Sequence, residues 1–306
     1  MLDETARGVF TISVTPFADD GALDLGSLDR VTDFYLEKGA TGLTVLGMMG
    51  EAGKLSTNEA ETVASRVVGR AGVPVVVGVS APGFAQMAAL AKASMDAGAA
   101  AVMVAPPATL KTDAQIVSYY HGVAETLGDI PFVLQDFPLV TTVVVPVSAI
   151  LQIVEDCPTC VMLKHEDWPG LEKISALRKA SDNGARRISI LCGNGGLYLP
   201  EEMARGADGA MTGFSYPEMM AQVIACHEAG EAERARDIFD AYLPLARYEN
   251  QPGLGLAIRK HVLFRRGAIA SSAVRKPGPA LSTDTLAELE RLISRQERAL
   301  SALELG

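Results

Sequence analysis

The chain has 306 residues, 48% of them hydrophobic, with a formal net charge of −10. That length fits one α/β barrel or two medium domains. The acidic balance, with no window dominated by Lys or Arg, argues against a nucleic-acid groove or an anionic membrane surface.

The opening MLDETARGVF has acidic residues and no basic, apolar signal segment, and no apolar run approaches the roughly 20 residues of a bilayer span. We expect a soluble cytoplasmic protein whose partner is a small molecule. In chain order, short runs rich in β-branched and apolar residues then alternate with helix-length segments. The first is FTISVT (Phe10 to Thr15), followed by helical text over Leu25 to Glu37. GLTVLG (Gly42 to Gly47) leads into a helix over Thr57 to Arg70, opened by the capping signal Ser56-Thr57-Asn58-Glu59. VPVVVGVS (Val73 to Ser80) precedes Ala85 to Met95, and AAVMVAP (Ala100 to Pro106) precedes Asp113 to Thr126, capped by Thr112 and Gln115. IPFVLQ (Ile130 to Gln135), CVMLK (Cys160 to Lys164) with a helix over Gly170 to Ala180, ISILCG (Ile188 to Gly193) and DGAMTG (Asp208 to Gly213) complete eight runs.

The runs are continuously apolar rather than alternating, as parallel strands buried on both faces are. Eight strand-helix units at a spacing of roughly 20 to 30 residues predict a (β/α)8 barrel over residues 1–229. A G-x-G-x-x-G fingerprint is missing after the first strand, which weakens an open dinucleotide-binding sheet. Helical text follows over Met219 to Ala229, Glu231 to Leu245, Leu256 to Arg266 and Thr283 to Leu303, broken at Gln251-Pro252-Gly253 and Lys276-Pro277-Gly278-Pro279. The expectation is the eighth barrel helix and then a three-helix appendage over 230–306. Cys157, Cys160, Cys192 and Cys226 are too few for a disulfide framework. The C-x-x-C pair lacks a second pair, and the four histidines show no H-x-x-x-H, so no metal is expected.

In such a barrel the site lies at the C-terminal strand ends. Those ends carry Thr15, Gly47-Met48-Met49-Gly50-Glu51, Ser80, Pro106-Pro107, Gln135-Asp136, Lys164-His165-Glu166, Gly193-Asn194-Gly195-Gly196 and Thr212-Gly213. Lys164 is the one lysine among them. In an apolar barrel mouth desolvation disfavours the ammonium, and a free amine there can form a Schiff base with a ketone. The competing reading is a lysine that leans outward to pair with Glu166 or Asp167. Glycines in the loops after strands two and seven can turn backbone N–H groups inward to hold a carboxylate or phosphate. An amine with two anion-binding loops points to a 2-keto acid.

These features resemble the Schiff-base lyases that include dihydrodipicolinate synthase and N-acetylneuraminate lyase. Val14-Thr15-Pro16-Phe17 looks like the family's opening strand, Gly47-Met48-Met49-Gly50-Glu51 like its G-x-x-G-E carboxylate loop, and Leu163-Lys164 like its Schiff-base lysine. Gly78-Val79-Ser80-Ala81, Gly193-Asn194 and Gly209-Ala210-Met211-Thr212 fall in the family's order. The resemblance implies a homotetramer or homodimer and no cofactor beyond the covalent imine on Lys164. Met48 and Met49 stand where dihydrodipicolinate-forming members generally carry two threonines, and Gln135-Asp136-Phe137-Pro138 where they carry Y-N-x-P. Val140 falls at about the position of their carboxylate-holding arginine, and Pro107-Ala108 replace their tyrosine pair after strand four. The usual hydroxyl relay is therefore absent. The Q-D-x-P and M-T-G segments, with Tyr248-Glu249-Asn250, are similar instead to the family's 2-keto-3-deoxy sugar acid dehydratases, such as those acting on 2-keto-3-deoxyarabonate.

The expectation is a dehydratase or aldolase for 2-keto-3-deoxy acids, with Lys164 and Gln135 as catalytic residues. Thr15, Gly47, Met48, Met49, Asp136, Gly193, Met211 and Thr212 are the expected substrate contacts. Glu51, Asp136, His165, Glu166 or a water held by Gln135, Ser80 or Thr15 remain candidates for proton transfer. A structural role is favoured for Glu51, and strand alternation turns His165 away from Lys164. Met211 and Phe137 would wall an apolar pocket, although a core role suits each as well. Dihydrodipicolinate synthase itself, a barrel for phosphorylated sugars and a non-catalytic keto-acid-binding barrel stay open as alternatives.

Overall fold

The computed structural model describes residues 1–303. Eight parallel strands close into one barrel in sequential order: β1 Gly8–Ile12, β2 Gly42–Val45, β3 Val75–Gly78, β4 Ala101–Val104, β5 Phe132–Asp136, β6 Cys160–His165, β7 Ser189–Cys192 and β8 Gly209–Ala210. Closure is made by Gly8 and Val9 of β1 pairing with Gly209 and Ala210 of β8. The eight runs of β-branched text correspond to these strands, seven of them shorter than their apolar run and β6 one residue longer. Helices α1 Leu25–Glu37, α2 Thr57–Ala71, α3 Phe84–Asp96, α4 Asp113–Leu127, α5 Pro138–Thr141, α6 Val147–Asp156, α7 Leu171–Asp182, α8 Leu199–Ala204 and α9 Glu218–Glu228 surround them. Both expected capping boxes form, Ser56 with Glu59 and Thr112 with Gln115. Three helices were not expected, one of them the four-residue Pro138–Thr141. The Val147–Asp156 segment begins after Pro146 without a side-chain cap, and Leu199–Ala204 is only six residues long.

Two apolar layers result from strand alternation. Phe10, Ile12, Val76, Met103, Val133, Met162, Leu191 and Met211 fill the barrel, while the outward-facing strand residues join the helices in a second, larger core. Each such buried side chain contributes roughly 1.5–3 kcal/mol relative to exposure. The packed interior forms a floor and leaves the C-terminal ends of the strands as the open end.

The C-terminal region is α10 Ala232–Glu249, α11 Gly255–Arg265 and α12 Thr283–Ala302. Residues 304–306 of the expected appendage lie outside the described residues. Helix α10 packs on α9 and α12. The chain after α11 returns to the first half of the barrel, where Lys260 and Arg275 lie 4.5 and 4.3 Å from the Phe17 ring centroid. Among the described residues, no helix is long and apolar enough to cross a membrane.

Candidate active site

A cavity of about 380 Å³ opens at the C-terminal strand ends. Its centre is set by the pairing of β5 with β6, which aligns Gln135 with Lys164 and Asp136 with His165. Alternation turns the first pair into the barrel mouth and the second out toward the helices. Lys164 and Glu166 are each 5% exposed, and Lys164 Nζ lies 2.9 Å from Glu166 Oε2. Gln135 Nε2 donates to the same oxygen at 2.7 Å. Lys164 does pair with Glu166, but inside the cavity rather than toward solvent, because both residues share the inward face of one strand and its extension. A buried ammonium needs such a counter-charge to persist.

The glycine at position 193 makes room for this arrangement. A Cβ there would meet Glu166 Cγ at 2.2 Å, so any side chain would push the carboxylate away from Lys164. The role expected for Gly193 was substrate contact; it does not line the cavity, and its effect on the site passes through Glu166.

Asp136 does not reach the cavity, contrary to the expectation of a substrate contact. Its fully buried carboxylate accepts from Lys173 Nζ at 2.7 Å, and Lys173 also reaches Asp167 at 2.8 Å and the Val145 carbonyl at 2.8 Å. This lysine ties the loops after β5 and β6 together behind the wall. Burial raises the Asp136 carboxyl to about 6 even though Lys173 opposes the shift. Burial, aided by Lys173, lowers His165 to about 4. His165 Nε2 sits 3.1 Å from the Gly170 carbonyl, outside the mouth as alternation predicted.

Opposite β6, Met48 and Met49 line the cavity on a single 3₁₀ turn, Met48–Gly50. The Gly50 and Glu51 N–H groups bond back to Gly47 and Met48 carbonyls, whereas no protein acceptor meets the Met48 or Met49 N–H among the described residues. Thr15 lies outside the cavity lining and holds this turn from behind, its hydroxyl donating to the Gly50 carbonyl at 2.6 Å. Glu51 closes the turn in the left-handed region, φ 55°. Its buried carboxylate receives Lys260 Nζ at 2.5 Å, Lys54 Nζ at 2.8 Å and the Arg275 N–H at 3.0 Å. The structural role favoured for Glu51 is therefore a tie between the turn and the C-terminal helices.

The loop after β7 differs from its expected use. Asn194, Gly195 and Gly196 take left-handed φ values of 51, 68 and 72°. Their geometry directs the Gly195 N–H onto the Thr212 hydroxyl at 2.8 Å, and the Gly193 and Gly196 N–H groups bond to the carbonyls of His165 and Gly193. The glycine amides are thus occupied by the protein itself rather than presented to an anion.

Of the expected site residues, the structure brings Lys164, Gln135, Met48, Met49 and Thr212 around one cavity. Gly47 precedes the turn without lining it, and Met211 lies in the barrel filling, so the core role holds for it; Phe137 does line the mouth. Ser80 supports strand β4 by accepting from the Ala105 N–H at 2.8 Å. Asn194, Glu249, Asn250 and Arg259 also line the cavity; the first three lie in segments that carry the family resemblance, but none was among the expected substrate contacts. Alternation could have placed Glu166 with Lys164, since they are two residues apart. No local signal in the helical text shows that Arg259 docks there.

The family model described as "Dihydrodipicolinate synthetase family" matches residues 5–296. The L-2-keto-3-deoxyarabonate dehydratase of Azospirillum brasilense is 30% identical, with 94% of each chain covered. The 4-hydroxy-tetrahydrodipicolinate synthase of Thiobacillus denitrificans is 31% identical over 79% of this chain and 81% of its own. A crystal structure described as dihydrodipicolinate synthase from Rhodopseudomonas palustris superposes with a TM-score of 0.95 at 55% identity, covering 96% of this chain and 99% of its own.

Proposed function

The chain belongs to the dihydrodipicolinate synthetase family, and on that premise we propose a lyase that holds a 2-keto-3-deoxy acid as an imine on Lys164. The observation that carries this reading is the buried contact of 2.9 Å between Lys164 Nζ and Glu166 Oε2. It supplies a nucleophile and a proton acceptor at one point.

Glu166 takes a proton from the Lys164 ammonium, and the freed amine adds to the C2 carbonyl. The protonated Glu166 then returns that proton as the carbinolamine hydroxyl leaves as water, giving the iminium. The iminium acidifies C3; Glu166 removes a C3 proton to give the enamine. In a dehydratase the enamine expels the C4 hydroxyl, which leaves as water with the proton held by Glu166. In the retro-aldol direction, Glu166 takes the proton of the C4 hydroxyl while the C3–C4 bond breaks, releasing an aldehyde and leaving the enamine, which takes the proton back from Glu166 at C3. Gln135 keeps Glu166 directed at Lys164, and the Met48 and Met49 N–H groups suit the substrate carboxylate. No metal or organic cofactor takes part in this scheme.

The dehydratase direction is supported by the likeness to the Azospirillum relative and by Gln135 and Met48-Met49 lying in the mouth. A second reading, synthesis of 4-hydroxy-tetrahydrodipicolinate, draws on the 55% identity to the Rhodopseudomonas palustris structure. Turnover separates them. The first reading predicts consumption of a 2-keto-3-deoxypentonate or hexonate with release of a semialdehyde or pyruvate. Condensation of pyruvate with aspartate semialdehyde, with no deoxy-keto acid consumed, would replace it by the second.

A further inference from the structure

Beyond Lys164 and Glu166, the cavity lining includes Glu249, Asn250, Gln251 and Arg259 from the C-terminal region. Arg259 is 3% exposed. Its Nε donates to Glu249 Oε1 at 2.6 Å and its Nη2 to the Gly213 carbonyl. Among the described residues Nη1 has no protein acceptor. A Cβ on Gly213 would meet that nitrogen at 2.1 Å, so glycine there is what lets the guanidinium approach the strand-eight loop. Glu249 is itself fixed, accepting from the Ser215 N–H at 3.1 Å and from its hydroxyl. Fork and counter-ion are thus held before substrate arrives, and a buried guanidinium N–H without an acceptor is a costly group to keep for packing alone.

Charge decides what such a group would recognise. The ionisable residues lining the cavity are Lys164, Arg259, Glu166 and Glu249, two cations and two anions that form two internal pairs. No net positive charge remains at the Arg259 end for a second carboxylate or a phosphate. What remains is one buried guanidinium N–H in a lining that also holds the amide side chains of Asn250 and Gln251. We infer that Arg259, braced by Glu249, recognises a neutral hydroxyl oxygen at the end of the substrate remote from its carboxylate. The substrate is then a hydroxylated 2-keto acid, with neither a second carboxylate nor a phosphate at that end. This inference rests on imine formation at Lys164, as proposed above.

The test compares borohydride trapping by the full-length protein across three probes: pyruvate, a 2-keto-3-deoxypentonate and 2-oxoglutarate. In the unsubstituted protein the hydroxylated acid is expected to half-saturate trapping at a lower concentration than 2-oxoglutarate; the reverse order overturns the assignment. In Arg259→Gln, the half-saturating concentration for the hydroxylated acid relative to that for pyruvate is expected to rise about fivefold or more, as for one lost charge-assisted hydrogen bond. A smaller change in that ratio, including parallel weakening of both probes, makes Arg259 structural and overturns the inference. Arg259→Lys keeps a cation for Glu249 and is read the same way if the glutamine variant fails to fold. Absence of any adduct before substitution contradicts the imine itself, and this inference with it; that outcome is distinct because it does not involve Arg259.

Discussion

Lys164 and Glu166 meet at 2.9 Å in the barrel mouth, both 5% exposed, with Gln135 donating to the same carboxylate oxygen. In the proposed reaction this contact joins a nucleophile to a proton acceptor, and among the described residues no tyrosine lines the cavity. Glu166→Gln preserves the shape and removes the base. Its turnover should fall by about 10²–10⁴, the usual range for a positioned acid–base group. Single-turnover kinetics with a 2-keto-3-deoxy acid measure this; turnover within a factor of about three of the original would assign proton transfer elsewhere.

Gly193→Ala tests the same contact from behind. The added Cβ would stand 2.2 Å from Glu166 Cγ. The carboxylate must move, and turnover should drop by about 10²-fold, the scale of an ångström misplacement. A crystal structure of the variant should show a longer Lys164–Glu166 distance. An unchanged distance with lost activity would point to a different role for this glycine.

Lys260→Met probes the tie between the Met48–Gly50 turn and the C-terminal helices. Lys260 is fully buried and 2.5 Å from Glu51 Oε1. Removing it leaves Glu51 with Lys54 and the Arg275 N–H, so denaturant unfolding should show a loss of about 3 kcal/mol. Because Met48 and Met49 sit on the turn that Glu51 closes, KM for a keto acid should rise as well.

Glu202 gives a pH signature independent of catalysis. Burial raises its carboxyl to about 8 from the ordinary 4.5, and among the described residues its Oε2 has no hydrogen-bond partner. A carboxyl raised on folding contributes stability that is complete below its unfolded pKa and is lost as pH rises through the folded value. Asp136, raised to about 6, acts in the same sense at lower pH, and His165, lowered to about 4, acts oppositely below pH 6.5. Subtracting the unsubstituted protein's pH curve from that of the variant isolates Glu202 from these groups and from the buried thiols of Cys160 and Cys192, whose pKa values burial raises and whose unfolded forms ionise near pH 9. Glu202→Gln should gain about 2 kcal/mol or more at pH 9 and little at pH 5, with the discount that relaxation of a buried carboxyl imposes. Equal effects at both pH values would show that the carboxyl does not titrate across that interval.

The barrel was legible because both faces of each parallel strand are buried, which leaves continuous runs such as VVVG and AVMV in the text. Lys164 was legible because a lysine ending such a run is rare. The period of two that turned His165 away from it also carried Glu166 to its side. Asp136 follows the inward-facing Gln135, so the same period of two already turns it outward, where it pairs with Lys173. Other features depend on docking that no local pattern encodes. Val147–Asp156 follows the apolar Val143-Val144-Val145-Pro146 and has no capping side chain, so its helix merged with the preceding text. Glu249 and Arg259 lie in helical text whose place over β8 is set by long-range packing.

The central claim is that Lys164 carries the substrate. Borohydride reduction in the presence of pyruvate or a 2-keto-3-deoxy acid, followed by peptide mass mapping, tests it most directly. The account predicts one reduced adduct, on the peptide containing Lys164, and none in Lys164→Ala of unchanged fold. No adduct with any 2-keto acid, or an adduct on another lysine, would contradict it.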